Sequence, residues 1–202
     1  MIRKPLALGD MSVGGLRYFN VLDPVAADFD IFPVVHSLSR IRRWGGKIIV
    51  PYTVGMHSLV CGRVVMERTG LPHFALAALC HDMHEGVLGF DMPSPFKRVL
   101  GGMMEGYERR IDLVIEARVS VVPGLMKHAV VKAVDRDAVN CEGLCFGMDT
   151  VEPDQRRWVQ PGYSPPRGML QAIQEEIAHG DNDDGVEARL LEAVEMYGGR
   201  IR

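Results

Sequence analysis

The chain has 202 residues, of which 47% are hydrophobic and 24% charged, and its formal net charge is −3. This composition is ordinary for a soluble globular protein, so we predict one well-buried domain over residues 1–202. A charge this close to neutral gives no reason to expect a dedicated nucleic-acid binder. The first ten residues lack the apolar run of a signal peptide, and no apolar stretch reaches the roughly 18 residues of a membrane span. We therefore expect a cytoplasmic protein with no membrane partner.

Glycine and proline divide the chain into a succession of predicted helices. Residues 1–33 carry Pro24 and Pro33 and indicate an extended arm or short strands. Pro33 suits the first turn of a helix whose apolar residues keep helical spacing as far as Ile41, before the glycines at 45–46. The helices predicted after it cover about 53–69, 72–88, 97–118, 124–147, 167–179 and 185–197. The pattern predicts an all-α fold.

Two segments between these helices are predicted as loops. Residues 89–96 contain two prolines, which should prevent a continuing helix. Residues 149–166 are polar and rich in proline around Trp158. The four cysteines fall in apolar, helix-like stretches without a C-x-x-C pair, so we predict buried, reduced thiols rather than disulfides or a structural zinc site.

The adjacent residues His81 and Asp82 are the strongest chemical signal in the chain. On a continuous helix they would share one face with Glu85, and such a group on an apolar helix is costly unless a cation compensates it. A lone His-Asp pair usually has a surface or capping role, but the flanking residues 75–80 are apolar. With His57 upstream and Asp135 downstream, two imidazoles and two carboxylates suit a divalent metal that keeps positions open for water and substrate.

The order of these residues resembles the HD-domain phosphohydrolase superfamily, an all-helical, metal-dependent fold. The resemblance is greatest to the nucleotide-hydrolysing branch that includes bacterial 5′-deoxynucleotidases and their phage-encoded relatives. It covers most of the chain as motifs in the same order. They lie at 17–24, 36–38, 43–46, 51–58, 81–85, 91–97 and 132–135, with Glu142 two turns after Asp135.

The resemblance implies an HD-type helical bundle with a short N-terminal extended arm and one divalent metal (Co, Mn or Zn, with Mg possible for a triphosphate substrate). The implied metal ligands are His57, His81, Asp82 and Asp135. Glu85 and Asp91 would be the acid–base and water-orienting pair beside the metal. One extra residue precedes Asp91 relative to the usual spacing, which makes Glu85 the firmer assignment. For His84 we favour a helix-surface position over a ligand role.

The substrate is implied by residues outside the metal site. Arg43 and Lys97 match positions that contact phosphate in relatives, and a guanidinium suits phosphate oxygens. Trp44 could stack on a nucleobase or pack in the core. Tryptophan at this position resembles phage enzymes that destroy dATP. The resemblance thus implies a dATP or dNTP triphosphohydrolase that releases the deoxynucleoside and triphosphate.

Two alternatives stay open. One is a 5′-deoxynucleotidase that acts on dNMPs, because both reactions cleave at the α-phosphate with the same metal and water. The other is a catalytically silent nucleotide-binding module, although all four ligands and Glu85 are present. The cyclic-dinucleotide branch is disfavoured because no Gly-Tyr-Pro follows the doublet. In each case the partner would be a small-molecule deoxynucleotide and not a nucleic-acid polymer, and relatives form homo-oligomers.

Overall fold

The computed structural model describes residues 7–12, 18–146, 163–180 and 182–201. Its strands and helices are β1 Asp10–Ser12, β2 Tyr18–Asn20, α1 Ile31–Leu38, α2 Val54–Thr69, α3 Pro72–Cys80, α4 Met83–Leu88, α5 Ser94–Leu100, α6 Gly102–Val119, α7 Ala129–Cys145, α8 Met169–Ala178 and α9 Asp183–Met196. Short 3-10 turns cover Ala26–Asp28, Arg43–Gly46 and Leu125–Lys127. Arg17 of the predicted arm and the predicted loop around Trp158 lie outside the described residues.

The N-terminal arm is a short hairpin. β1 and β2 pair in antiparallel register, with Met11 opposite Phe19. Phe19 is buried and meets Phe29 edge to face, with ring centroids 6.3 Å apart. This contact holds the hairpin against the helical core. The predicted all-α bundle with a short extended arm is confirmed.

Helix α2 lies at the centre of the bundle. It packs against α1, α3, α7, α8 and α9, and its buried residues join one continuous apolar core. The Thr53 hydroxyl accepts a hydrogen bond from the amide of Met56 at 3.1 Å, which caps the first turn of α2 and is typically worth about 1 kcal/mol. Because the cap fixes where α2 begins, it also fixes the position of His57 in that first turn.

The helix predicted over 72–88 is interrupted at the His81-Asp82 doublet, so this prediction was wrong in detail. Asp82 has φ −109° and ψ 13°, outside the helical region. The side chain of His81 donates from Nδ1 to the carbonyl oxygen of Ala78 at 2.7 Å. That carbonyl is the one the Asp82 amide would use in a continued helix. α3 therefore ends before the doublet, and α4 begins after it.

Helix α4 approaches α1 closely at Gly86. A Cβ atom at this position would lie 2.6 Å from the carbonyl oxygen of Val34, so only glycine fits without a backbone shift. α4 also packs against α6. These contacts fix the orientation of the segment that follows the doublet.

The prediction of a loop over 89–96 followed by one long helix was also partly wrong. α5 begins at Ser94, with Pro95 in its first turn, where a missing amide costs no helical hydrogen bond. Gly101 then adopts φ 56° and ψ −144°, a conformation that glycine tolerates, and separates α5 from α6. Among the described residues, no helix combines the length and apolar character needed to cross a membrane.

Candidate metal centre

Four side chains converge where three separate segments meet, and we call them the metal cluster. His57 comes from α2, His81 and Asp82 from the break between α3 and α4, and Asp135 from α7. One donor atom from each lies within 4.8 Å of the others. The residues that the sequence predicted as metal ligands are therefore brought together.

The spacing of the donor atoms matches what one metal ion requires. The two histidine Nε2 atoms are 3.4 Å apart. Asp135 Oδ1 lies 3.3 Å from His57 Nε2 and 3.6 Å from His81 Nε2. Asp82 Oδ2 lies 3.7 Å and 3.2 Å from the same two nitrogens. Two ligands about 2.1 Å from a shared ion are roughly 3.0–3.4 Å apart at right or tetrahedral angles, so this donor set fits a metal ion.

The hydrogen bonds of both imidazoles direct their Nε2 atoms into the cluster. His57 Nδ1 donates to Glu142 Oε1 at 2.6 Å, and His81 Nδ1 donates to the carbonyl of Ala78 at 2.7 Å. Since Nδ1 carries the proton in each case, a neutral ring has its lone pair on Nε2. A ligating histidine is commonly held in this way. Both histidines are thus already oriented as ligands.

The charges of the cluster favour a bound cation. Burial raises the pKa of Asp82, but the adjacent His81 and then His57 lower it more, so its pKa lies well below the usual range. Burial lowers the pKa of His81, while Asp82 and Asp135 raise it more, so its pKa lies well above the usual range. In the metal-free protein, protons on the imidazoles thus compensate the carboxylates. Metal binding should release these protons.

The thiol of Cys61 lies beside the metal cluster. Cys61 is one turn after His57 on α2, and its Sγ is 3.5 Å from His57 Nε2. The prediction of free cysteines is confirmed, since all four are unbridged, and three of them are buried. The helical spacing of the sequence already places Cys61 on the same face of the predicted helix as His57.

Glu142 belongs to the motif around Asp135, but the sequence assigned it no role. It is fully buried on α7, and besides His57 it binds Arg43 Nε and Trp44 Nε1, each at 3.1 Å from Oε2. Arg43 is also buried, and its Nη1 lies 3.7 Å from Asp82 Oδ2. One carboxylate therefore positions a metal-cluster histidine together with two of the residues predicted to bind substrate.

Glu85 and Asp91 are the predicted acid–base pair, and Glu85 has a donor atom within 4.8 Å of one from Asp82. Glu85 is 3% exposed, and its burial together with the negative charges of Asp82 and Asp91 raises its pKa to about 7. Asp91 follows α4 and is half-buried. A carboxyl group with a pKa near neutrality can both give and take a proton, which suits the role predicted for Glu85.

Lys97, the third predicted substrate-binding residue, lies at the start of a second polar group. Its Nζ is 3.2 Å from Glu85 Oε1 and 3.2 Å from Glu108 Oε1. Burial lowers the pKa of Lys97, but Glu85, Asp82 and Glu108 raise it more, so the ammonium stays charged. Lys97 is thus paired with two protein carboxylates.

The interpretation of His84 as a helix-surface residue was wrong. It is 2% exposed, because α6 packs over α4 and covers it. Its Nδ1 lies 3.0 Å from Asp112 Oδ1, and its Nε2 lies 3.6 Å from Glu108 Oε1. We call the group formed by His84, Glu85, Glu108, Asp112 and the lysines that pair with them the second cluster. Those lysines are Lys97 and Lys127.

The fold and the site together define an all-helical protein with a candidate centre for a metal ion. The chain is 32% identical over 147 residues to an uncharacterized protein of Rhodobacter capsulatus, which covers 69% of this chain and 74% of that protein. It belongs to the family of this Rhodobacter protein. It is also 31% identical over 122 residues to the uncharacterized protein YfdR of Escherichia coli, which covers 60% of this chain and 64% of YfdR, slightly less than two thirds. No family model matches the sequence.

Proposed function

We propose that this protein is a metal-dependent phosphohydrolase of the HD type that cleaves deoxynucleotides at the α-phosphate. The observation that supports this most is the convergence of two histidine Nε2 atoms and two aspartate oxygens within 4.8 Å, with both Nδ1 atoms tied elsewhere. A divalent ion held there would lower the pKa of a water molecule and polarise a phosphoryl oxygen. The four side chains supply a binding site and, being only four, leave positions for water and substrate.

Glu85 is the proposed general acid–base residue. It is buried next to Asp82, and its pKa of about 7 allows it to hold or release a proton near neutral pH. Asp91 raises that pKa through its negative charge and is proposed to orient the attacking water. Glu85 also contacts Lys97, whose ammonium could receive a leaving phosphate chain.

Arg43 and Lys97 are the proposed phosphate-binding residues. They approach the metal cluster from different elements, Arg43 beside Asp82 and Lys97 beside Glu85. Arg43 is fixed by Glu142, so its guanidinium is pre-oriented, whereas Lys97 must exchange its carboxylate partners for phosphate oxygens. Two cations around one reaction centre suit a substrate with several phosphate charges.

The proposed substrate is dATP or another dNTP, which would be cleaved to the deoxynucleoside and triphosphate. This choice rests on Trp44, which resembles the residue of phage dATP-destroying enzymes and is partly exposed, with its indole N–H held by Glu142. An indole anchored through its edge can present a ring face to a nucleobase. The alternative substrate is a dNMP, which requires the same cleavage but less positive charge beyond the α-phosphate.

Product analysis over the dNMP and dNTP series tests the proposal. The metal-stripped protein is reloaded with Mn, Co, Zn or Mg, and inorganic phosphate and tripolyphosphate are measured separately. Tripolyphosphate from dATP supports the proposed reaction, and phosphate from dNMPs supports the nucleotidase. Retention of metal and bound nucleotide without either product would instead identify a silent nucleotide-binding module.

A further inference from the structure

The second cluster repeats the arrangement that prepares His57 as a metal ligand. In the metal cluster, a carboxylate from a distant helix holds His57 at Nδ1 and leaves Nε2 directed at the other ligands. In the second cluster, Asp112 of α6 holds His84 at Nδ1 in the same way, at 3.0 Å. Lys127 supports Asp112 at 2.9 Å, as Arg43 supports Glu142. The neutral form of His84 therefore has its lone pair on Nε2.

Two donor atoms of the second cluster are buried without a hydrogen-bond partner. Within residues 18–146 and the other described segments, these are His84 Nε2 and Glu85 Oε2. Glu108 Oε1 has no hydrogen bond either, but it forms an ion pair with Lys97 Nζ at 3.2 Å. Buried polar atoms of this kind are uncommon, because each costs the free energy of its lost hydration. His84 and Glu85 are 2% and 3% exposed, so bulk water does not compensate them. A bound cation would give these atoms the partner that they lack.

The unpaired atoms lie beside the metal cluster. Asp82, which is a member of the metal cluster, also has a donor atom within 4.8 Å of donor atoms from both His84 and Glu85. Asp82 therefore belongs to both donor sets and could bridge two ions through its two oxygens. In metal-assisted hydrolysis, paired ions are typically about 3.5–4 Å apart, a distance that one bridging carboxylate can span.

The charge balance agrees with two divalent ions. Among the described residues around the two clusters, seven carboxyl groups face three permanently charged cations. When the imidazoles are neutral, four negative charges are therefore uncompensated if Glu85 is ionised, and three if it holds its proton. The carboxylates are Asp82, Glu85, Asp91, Glu108, Asp112, Asp135 and Glu142, and the cations are Arg43, Lys97 and Lys127. One divalent ion leaves one or two of these negative charges uncompensated, and a second ion can neutralise them.

We propose that His84, Glu85 and Glu108, with Asp82 shared between the clusters, form a second divalent-cation site. Nitrogen and carboxylate oxygen donors in this proportion suit Mn²⁺ or Mg²⁺. Lys97, which contacts Glu85 and Glu108, competes with the ion for these oxygens. The site rests on the proposed function and extends it: Glu85 would act as the acid–base residue while the second site is empty and as an ion ligand when it is filled. The site itself can be tested without any nucleotide.

The test is a titration of the metal-stripped full chain with Mn²⁺, followed by electron paramagnetic resonance of free and bound ion. We expect two Mn²⁺ per chain and a spectrum of two exchange-coupled ions, because Asp82 is shared. His84→Gln should weaken the second equivalent at least tenfold, remove the coupling and keep the first equivalent. His36→Gln, which changes an exposed histidine on α1, is the matched control and should still bind two.

The Mn²⁺ stoichiometry of the wild type and of the variants decides the proposal. One Mn²⁺ per chain at saturation overturns it, as do two coupled ions in both His84→Gln and Glu108→Gln. Glu108→Gln provides the second variant if circular dichroism finds that His84→Gln does not fold. Two bound ions without hydrolysis of any nucleotide would overturn the proposed function and support this site. Nucleotide hydrolysis by a protein that binds a single ion would support the proposed function and overturn this site.

Discussion

The metal cluster and the second cluster lie side by side and share Asp82, but they differ in how completely their donor atoms are used. In the metal cluster, the two Nε2 atoms and the aspartate oxygens face one another at 3.2–3.7 Å. In the second cluster, His84 is held in the same way, yet its Nε2 faces a glutamate at 3.6 Å and a lysine takes part in the group. Both clusters therefore contain a histidine that a carboxylate from a distant helix orients. In the metal cluster the other donor atoms also lie at the spacing of metal ligands, whereas in the second cluster lysines contact the carboxylates.

The largest effect is expected for Asp82→Ala, because this residue is common to both clusters. The variant should bind no divalent metal tightly and should lose at least about a thousandfold in hydrolysis, beyond the 10–100-fold typical of an outer-shell partner. Metal content by elemental analysis and turnover of dATP check this. Glu105→Ala, on the exposed face of α6, is the control. Turnover that survives Asp82→Ala would disprove the assignment of the metal cluster.

Glu142→Gln should affect the metal cluster alone. The amide cannot accept from His57 and Arg43 as a carboxylate does, so we expect metal affinity to fall about 10–100-fold. Calorimetric titration with Mn²⁺ measures the two equivalents separately, and the second should change less than the first. Glu195→Gln, an exposed substitution on α9, should leave both unchanged. An equal loss in both equivalents would mean that the clusters are not distinct.

Glu85→Gln should separate stability from activity. A carboxyl whose pKa is raised on folding stabilises the folded chain at low pH, and this stability is lost as pH rises from its ordinary 4.5 through about 7. In EDTA at pH 8 the variant should therefore be more stable than wild type by roughly 1–3 kcal/mol, and at pH 4 the two should be similar. Thermal melts at both pH values measure this. We expect the variant to lose turnover and to gain stability at pH 8. A variant that is less stable than wild type at pH 8 would contradict the raised pKa of Glu85.

Lys97→Met should have the smallest effect and tests whether the lysine competes with a cation. Removing one partly exposed ammonium from Glu85 and Glu108 should tighten the second Mn²⁺ equivalent about fivefold, which corresponds to ~1 kcal/mol. The KM for a dNTP should rise in the same variant, because a phosphate contact is lost. Arg98→Met, the exposed neighbour on α5, is the control. Weaker Mn²⁺ binding in Lys97→Met would show that the lysine supports the site rather than competes for it.

Much of the fold and the metal cluster could be predicted because their signals are local. Apolar spacing, Pro72 and the capping residues define helices within a few residues, and His57, His81, Asp82 and Asp135 carry the chemistry of a metal ligand in their side chains. The break at Asp82 could not be predicted, because it depends on where the His81 ring finds an acceptor.

The roles of Glu142 and His84 could not be predicted for a related reason. Glu142 meets His57 across 85 positions of sequence, and His84 meets Asp112 across 28. Contacts between residues that are so far apart in the chain cannot be predicted from a single sequence. In the sequence, His84 has the pattern of an exposed polar residue on a helix, because only the structure shows that α6 packs over it.

The backbone around Trp44 gives a further reason to look for a purpose in this side chain. Trp44, Gly45 and Gly46 have φ values of 58°, 61° and 68°, so three consecutive residues form a turn of left-handed sense. Glycine adopts it freely, but a residue with a Cβ is disfavoured there by about 1–2 kcal/mol. Tryptophan at this position therefore lowers the intrinsic stability of the turn, and a glycine would relieve it. Trp44→Gly should therefore relax the turn and at the same time remove the indole that Glu142 holds, so this one substitution sets the stability of the turn against whatever the side chain contributes.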